Sequence, residues 1–147
     1  MTLLSTLNDD MKTAMRVKDK ERLAVIRMLK ASLQNEEIKV GHELNADEEL
    51  TILSREMKQR RDSLTEFEKA GRDDLSEKVK VEIAIVEEYL PAQLTDEEIR
   101  EIVKQAIAKT GATSAKEFGK VMSAVMPQVK GKADGNQVNA IVKELLQ

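Results

Sequence analysis

An all-α protein is what this sequence predicts, built as an N-terminal helical domain of about four helices followed by a small C-terminal three-helix bundle. Apolar residues recur three and four apart along nearly all of the 147 positions, strand-like alternation is absent, and only two Pro and six Gly interrupt the pattern. A chain of this size buries enough surface for one or two small cores. Its 41% hydrophobic content, balanced against 35% charged residues, is that of a folded chain rather than a disordered tail.

Leu4, Leu7, Met11 and Met15 lie on one face of a first helix. Asp19 is placed to accept hydrogen bonds from the free N–H groups that open a second helix, whose stripe is Leu23, Ile26, Leu29 and Leu33. Gly41 ends it, Gly41 to Leu44 connect, and Asn45 with Glu48 three residues on starts a third helix striped by Leu50, Leu53, Met57, Leu64 and Phe67. Arg60 falls on the core spacing, so a bend or a solvent-facing stretch is expected there. After a turn at Ala70-Gly71-Arg72, a fourth helix carries Leu75, Val79, Ile83, Val86 and Leu90, widened by Val81, Ala84 and Ile85.

Pro91 disfavours helical geometry in Leu90 and lacks a donor, which sets the domain boundary: residues 1–90 and residues 91–147. Beyond it, Thr95 with Glu98 and Ser114 with Glu117 form two reciprocal-cap patterns, and Asp134 to Gln137 a weaker third. The buried faces are Ile99, Ile102, Val103, Ala106 and Ile107; Phe118, Val121, Met122, Val125 and Val129; and Val138, Ile141, Val142 and Leu145. Pro127 is expected to kink or shorten the sixth helix.

Net charge is -3, from 24 basic and 27 acidic residues. It divides at Pro91 into an acidic first part and a slightly basic second part, in which the acids come early and the lysines late. Without cysteine there are no disulfides, thiolate nucleophiles or cysteine metal sites. The single imidazole, His42, lies in a polar connector with no third group to orient it as a base. Neither a P-loop nor a GxGxxG segment occurs, and acid pairs such as Asp9-Asp10 or Glu87-Glu88 diverge by about 100° on a helix. With aromatics at 2%, bases cannot be stacked, so any nucleic-acid contact runs through charge. No apolar run approaches the roughly 20 residues of a membrane span, and the amino-terminal stretch lacks the basic start of a signal peptide. A cytoplasmic protein with no membrane partner is expected.

Two basic groups remain. Lys58, Arg60 and Arg61 form a secondary patch for phosphates or an acidic partner, unless Glu56, Asp62, Glu66 and Glu68 neutralise it. In the second part, Gly119 inside a helix suggests close helix approach or an accessible backbone, among lysines that suit either a phosphate contact or a solvated face.

The segments Glu117-Phe118-Gly119-Lys120-Val121-Met122, Val129 to Gly135 and Val138 to Leu146 resemble the C-terminal tail (GatB/YqeY) domain of the aspartyl/glutamyl-tRNA amidotransferase. The first part is similar to the free-standing bacterial YqeY proteins through Arg60-Arg61-Asp62-Ser63, Phe67 to Arg72 and Glu88 to Leu94. This resemblance implies two helical domains and a tail that reads the outer body of tRNA. It implies a partner such as an amidotransferase, a carbon-nitrogen ligase using glutamine as amide donor, or another translation protein. The catalytic parts of that enzyme have no counterpart here, so the chain is expected to be non-catalytic, with no cofactor and no metal. Carried over by motif, Lys120, Lys130, Lys132 and Asn139 are the RNA-binding candidates, with Lys116 and Lys143 added on charge; Gly119, Gly131, Asp134 and Gly135 are motif positions of structural character. The alternative is a helical protein-interaction adaptor using the wide fourth-helix stripe or Met122 and Met126.

Overall fold

In the computed structural model, which describes residues 2–147, most helices begin where a side chain can satisfy their open N–H groups. Thr2, Asp19, Asn45, Thr95 and Asp134 accept backbone N–H bonds ahead of α1 (Leu3–Arg16), α2 (Lys20–Val40), α3 (Ala46–Lys69), α5 (Asp96–Thr110) and α7 (Gly135–Leu145). Asn45 and Thr95 close reciprocal boxes with Glu48 and Glu98. α4 (Asp73–Glu87) and α6 (Phe118–Val129) start without a side-chain cap. Gly41 and Gly111 end α2 and α5 at φ 78° and 72°, the left-handed geometry that a Cβ resists. No strand occurs among the described residues.

The chain falls into two compact units, residues 1–90 and 91–147. In the first, α1 packs on α2, and α3 and α4 pack on each other and on α2. Leu7, Val25, Ile26, Leu29, Leu33, Ile52, Leu53, Met57, Ile85 and Val86 form its core. In the second, α5, α6 and α7 enclose Ile99, Val103, Val121, Val125, Val129, Val138 and Val142. Burying about ten such side chains in each unit is the main force holding it, at roughly 1.5–3 kcal/mol apiece before the opposing chain entropy is subtracted.

Several local expectations change. Ser114 caps nothing: residues 115–117 wind as a 3-10 turn, and the Glu117 carboxylate instead accepts the Thr113 N–H at 2.8 Å. Gln137 does not close a box with Asp134 but bonds the Asp96 carboxylate on α5. α6 runs through Pro127 to Val129, so the proline sits inside the helix. In α3 the buried face is Ile52, Leu53, Glu56, Met57 and Arg60, with Leu50, Leu64 and Phe67 only half-buried. Met15 and Val81 are exposed rather than part of their stripes.

Arg60 is the largest departure. It does not face solvent: α3 runs on through it, and it is 5% exposed, inside the first unit. Its Nη1 lies 2.9 Å from Glu56 Oε2 and donates to the Glu56 carbonyl at 3.2 Å. Its Nε is 3.3 Å from Glu82 Oε1 on α4, close enough to pair though not aligned as a hydrogen bond. The Ser32 hydroxyl on α2 donates to Glu56 Oε1 at 2.7 Å. A core position is thus filled by a cation whose two anions and their supporting hydroxyl come from three helices.

Candidate nucleic-acid interface

The secondary basic patch is taken up by internal pairing. Lys58 bonds Asp62 at 3.0 Å, Arg60 is buried as above, and Arg61 sits 3.8 Å from Glu87. Of the acids weighed against it, Glu56 and Asp62 take part, and Glu82 and Glu87 come from α4, a helix that sequence spacing does not reach. Arg60 is therefore no surface cation, because its charge is enclosed with its partners.

The candidate lysines of the second unit are not paired in this way. Lys116, Lys120, Lys130, Lys132 and Lys143 are all exposed, and among the described residues none has an ion-pair partner. The acids of this unit are largely engaged. Glu98 accepts the Thr95 N–H, Asp134 caps α7, Glu117 holds the Thr113 N–H, Asp96 takes Gln137, and Glu144 takes Arg100 through two bonds of 2.9 and 3.0 Å. Arg100 holds the Glu144 carboxyl below its ordinary range, chiefly through those hydrogen bonds. A net charge near zero thus combines acids that act as hydrogen-bond acceptors within the unit and lysines without such partners.

The five candidate lysines form two groups. Lys116 and Lys120 flank Phe118 at the start of α6, and Lys143 on α7 reaches over the same ring, its Nζ 5.8 Å from the centroid. Lys130 and Lys132 lie at the other end of α6, about 15 Å from Lys120 at 1.5 Å per residue. That second end is pinned. The Leu94 N–H donates to the Lys132 carbonyl at 2.7 Å, and Gln93 Nε2 donates to the Gly131 carbonyl at 2.9 Å, with Gly131 at φ 74°. Gly135 opens α7. The role of Gln93 and Leu94 escapes a reading by period, since both belong to a loop and their partners lie about forty residues on.

Gly119 is exposed in the first turn of α6, and a Cβ built on it meets nothing within 4 Å. Close helix approach is therefore not its reason. Asn139 is half-buried, and its Oδ1 is enclosed without a hydrogen-bond partner, so that atom does not face a ligand. Of the adaptor residues, Met122 packs against the core, while Met126 is exposed.

Sequence reading also misses a polar cluster in the first unit. Tyr89 donates to Asp10 at 2.5 Å, and Arg22 bridges Asp19 and Glu88, around a recess of about 400 Å³ that Thr6 and Thr13 also line. Burial, with Asp10 accepting the hydrogen bond of the protonated hydroxyl, pushes Tyr89 well above its ordinary pKa. Among the described residues no group of three metal-ligating side chains comes together.

Two small all-helical units, each with its own apolar core, define the class of protein. The profile of the family described as Yqey-like protein matches residues 4–146, and the chain belongs to that family. Curated relatives carry the name altered inheritance of mitochondria protein 41, mitochondrial. That of Pyrenophora tritici-repentis is 32% identical over 98% of this chain and 81% of its own length. That of Clavispora lusitaniae is 34% identical over 77% and 67%, and that of Eremothecium gossypii 36% over 60% and 49%. None of these names is that of an enzyme. They overturn the cytoplasmic expectation, since they point to mitochondria. The composition of a folded domain records contact with water, and that does not tell one aqueous compartment from another.

Proposed function

We propose that this protein is a non-catalytic RNA-binding accessory module, with tRNA as the ligand and residues 91–147 as the contacting unit. The observation that carries this reading is that Lys116, Lys120, Lys130, Lys132 and Lys143, like Lys104 and Lys109, are exposed without ion-pair partners among the described residues, on a unit where several acids serve as hydrogen-bond acceptors for its own backbone and side chains. Cations free of internal partners release counterions when they meet phosphates, which is the main source of sequence-independent affinity. Few aromatics are present to read bases, so recognition rests on the shape and backbone of a folded RNA. The motif resemblance to an amidotransferase tail supports tRNA in particular, and supports an amidotransferase or another translation protein as neighbour.

The test is a titration of the full chain against uncharged tRNA and a length-matched duplex DNA, beside a variant with Lys120, Lys130 and Lys132 all changed to Glu. Preference for tRNA, lost in the variant, is the expected result. Equal affinity for both nucleic acids, or an unaffected variant, overturns the reading.

A further inference from the structure

The turn between α1 and α2 holds a combination that neither the fold nor RNA binding requires. α1 ends in a Schellman arrangement: the Asp19 N–H donates to the Ala14 carbonyl at 2.9 Å and the Lys18 N–H to the Met15 carbonyl at 3.3 Å. This geometry places Lys18 at φ 60°, the one positive value at a non-glycine residue among those described. Glycine ordinarily fills that position, as Gly41 and Gly111 do after α2 and α5, because a Cβ there crowds the backbone. A lysine that bears this strain keeps a cation at the tip of the turn.

The neighbours match it. Lys12, Arg16 and Lys20 are exposed, and neither they nor Lys18 have an ion-pair partner among the described residues. The one acid between Met11 and Lys20 is Asp19, occupied in capping α2 and pairing with Arg22 at 3.3 Å. Between these cations stand Met15, 53% exposed, and Val17, 66% exposed. Aliphatic side chains protruding among lysines add nothing to a phosphate contact in RNA, which needs charge, or stacking from aromatic rings. They are what an interfacial contact with lipid uses: apolar groups entering the headgroup layer and cations drawn to anionic lipid.

We propose that the α1–α2 turn is a peripheral docking site for an anionic phospholipid surface, with Met15 and Val17 entering the headgroup region and Lys12, Arg16, Lys18 and Lys20 meeting its charge. No described helix is long and apolar enough to cross a membrane. The expectation of no membrane partner rests on the absence of spanning segments, and surface docking does not depend on them.

The experiment is co-sedimentation of the full chain with vesicles of phosphatidylcholine alone and of phosphatidylcholine mixed with phosphatidylserine. Binding only to the mixed vesicles, weakened by salt, is expected, with each Lys→Gln change in the turn lowering the partition coefficient about fivefold. Val17→Asp lowers it further, while Lys39→Gln at the far end of α2 leaves it unchanged. Lys18→Gly separates a structural role from a docking role: it relieves the strained φ and raises the melting temperature, yet lowers vesicle binding. Absence of binding to mixed vesicles, equal binding to neutral ones, or wild-type binding by Lys18→Gly overturns the proposal. Loss of tRNA affinity in the turn variants without vesicle binding reassigns the turn to RNA.

Discussion

Arg60→Met removes the cation from the interior of the first unit and leaves Glu56 and Glu82 facing an apolar side chain of similar reach. Breaking a buried ion pair by deleting one partner costs about 3–5 kcal/mol, because the remaining charge stays desolvated. Here the Glu82 side chain is only partly buried and regains some hydration, so the lower end, about 3 kcal/mol, is expected. A unit of this size has roughly 5–13 kcal/mol in total, so the variant folds but is visibly weakened. The assay is urea unfolding followed by tyrosine fluorescence, since Tyr89 is the only tyrosine and the chain has no tryptophan, so the signal reports residues 1–90. Whole-chain ellipticity would mix two transitions. Changing Glu56 and Glu82 to Gln alongside Arg60→Met recovers most of the loss, because neutral amides need no buried cation. A loss below about 1 kcal/mol in the single variant, or an equal loss in the triple variant, refutes the reasoning, since it means these charges are already hydrated.

Other outcomes follow from the same geometry. Tyr89 keeps its proton in the folded state to a higher pH than in the unfolded chain, so its stabilisation is whole below about pH 10 and lost as pH rises beyond that; Tyr89→Phe, followed by amide circular dichroism, lacks the Tyr89 share of that alkaline loss. Gly119→Ala stabilises the second unit by up to about 1 kcal/mol in thermal unfolding, since its Cβ meets no atom and its φ is helical, and it lowers tRNA affinity if RNA lies against that face. Gly41→Ala does the reverse, destabilising the first unit by about 1 kcal/mol through its φ of 78° alone. Lys143→Gln weakens tRNA binding by a few-fold while leaving the melting temperature nearly unchanged, because its contact with Phe118 is an exposed one.

Helix starts at Asp19, Asn45 and Thr95 are legible in the sequence because a cap is a matter of three or four consecutive residues. Ser114 shows the limit of that locality, since its hydroxyl and Glu117 have the right spacing but the segment winds as a 3-10 turn. Arg60 escapes the sequence for the converse reason: Glu82 stands on another helix, and nothing in the periodicity of α3 announces a partner there. The lysines of the second unit are legible as charges, but not as unpaired charges, because their freedom depends on where Glu98, Glu117, Asp134 and Glu144 point. Their division into two groups about 15 Å apart also needs the fold, as Lys143 joins Lys116 and Lys120 only through α7 packing beside Phe118.

The claim that unpaired lysines of residues 91–147 meet RNA phosphates is tested most directly by the salt dependence of tRNA affinity between about 50 and 200 mM salt. Three to five neutralised phosphates give a slope of log K against log salt of roughly -3 to -5, and each of Lys120→Glu, Lys130→Glu and Lys132→Glu flattens it by about one. A slope near zero, or one that these substitutions leave unchanged, contradicts the account.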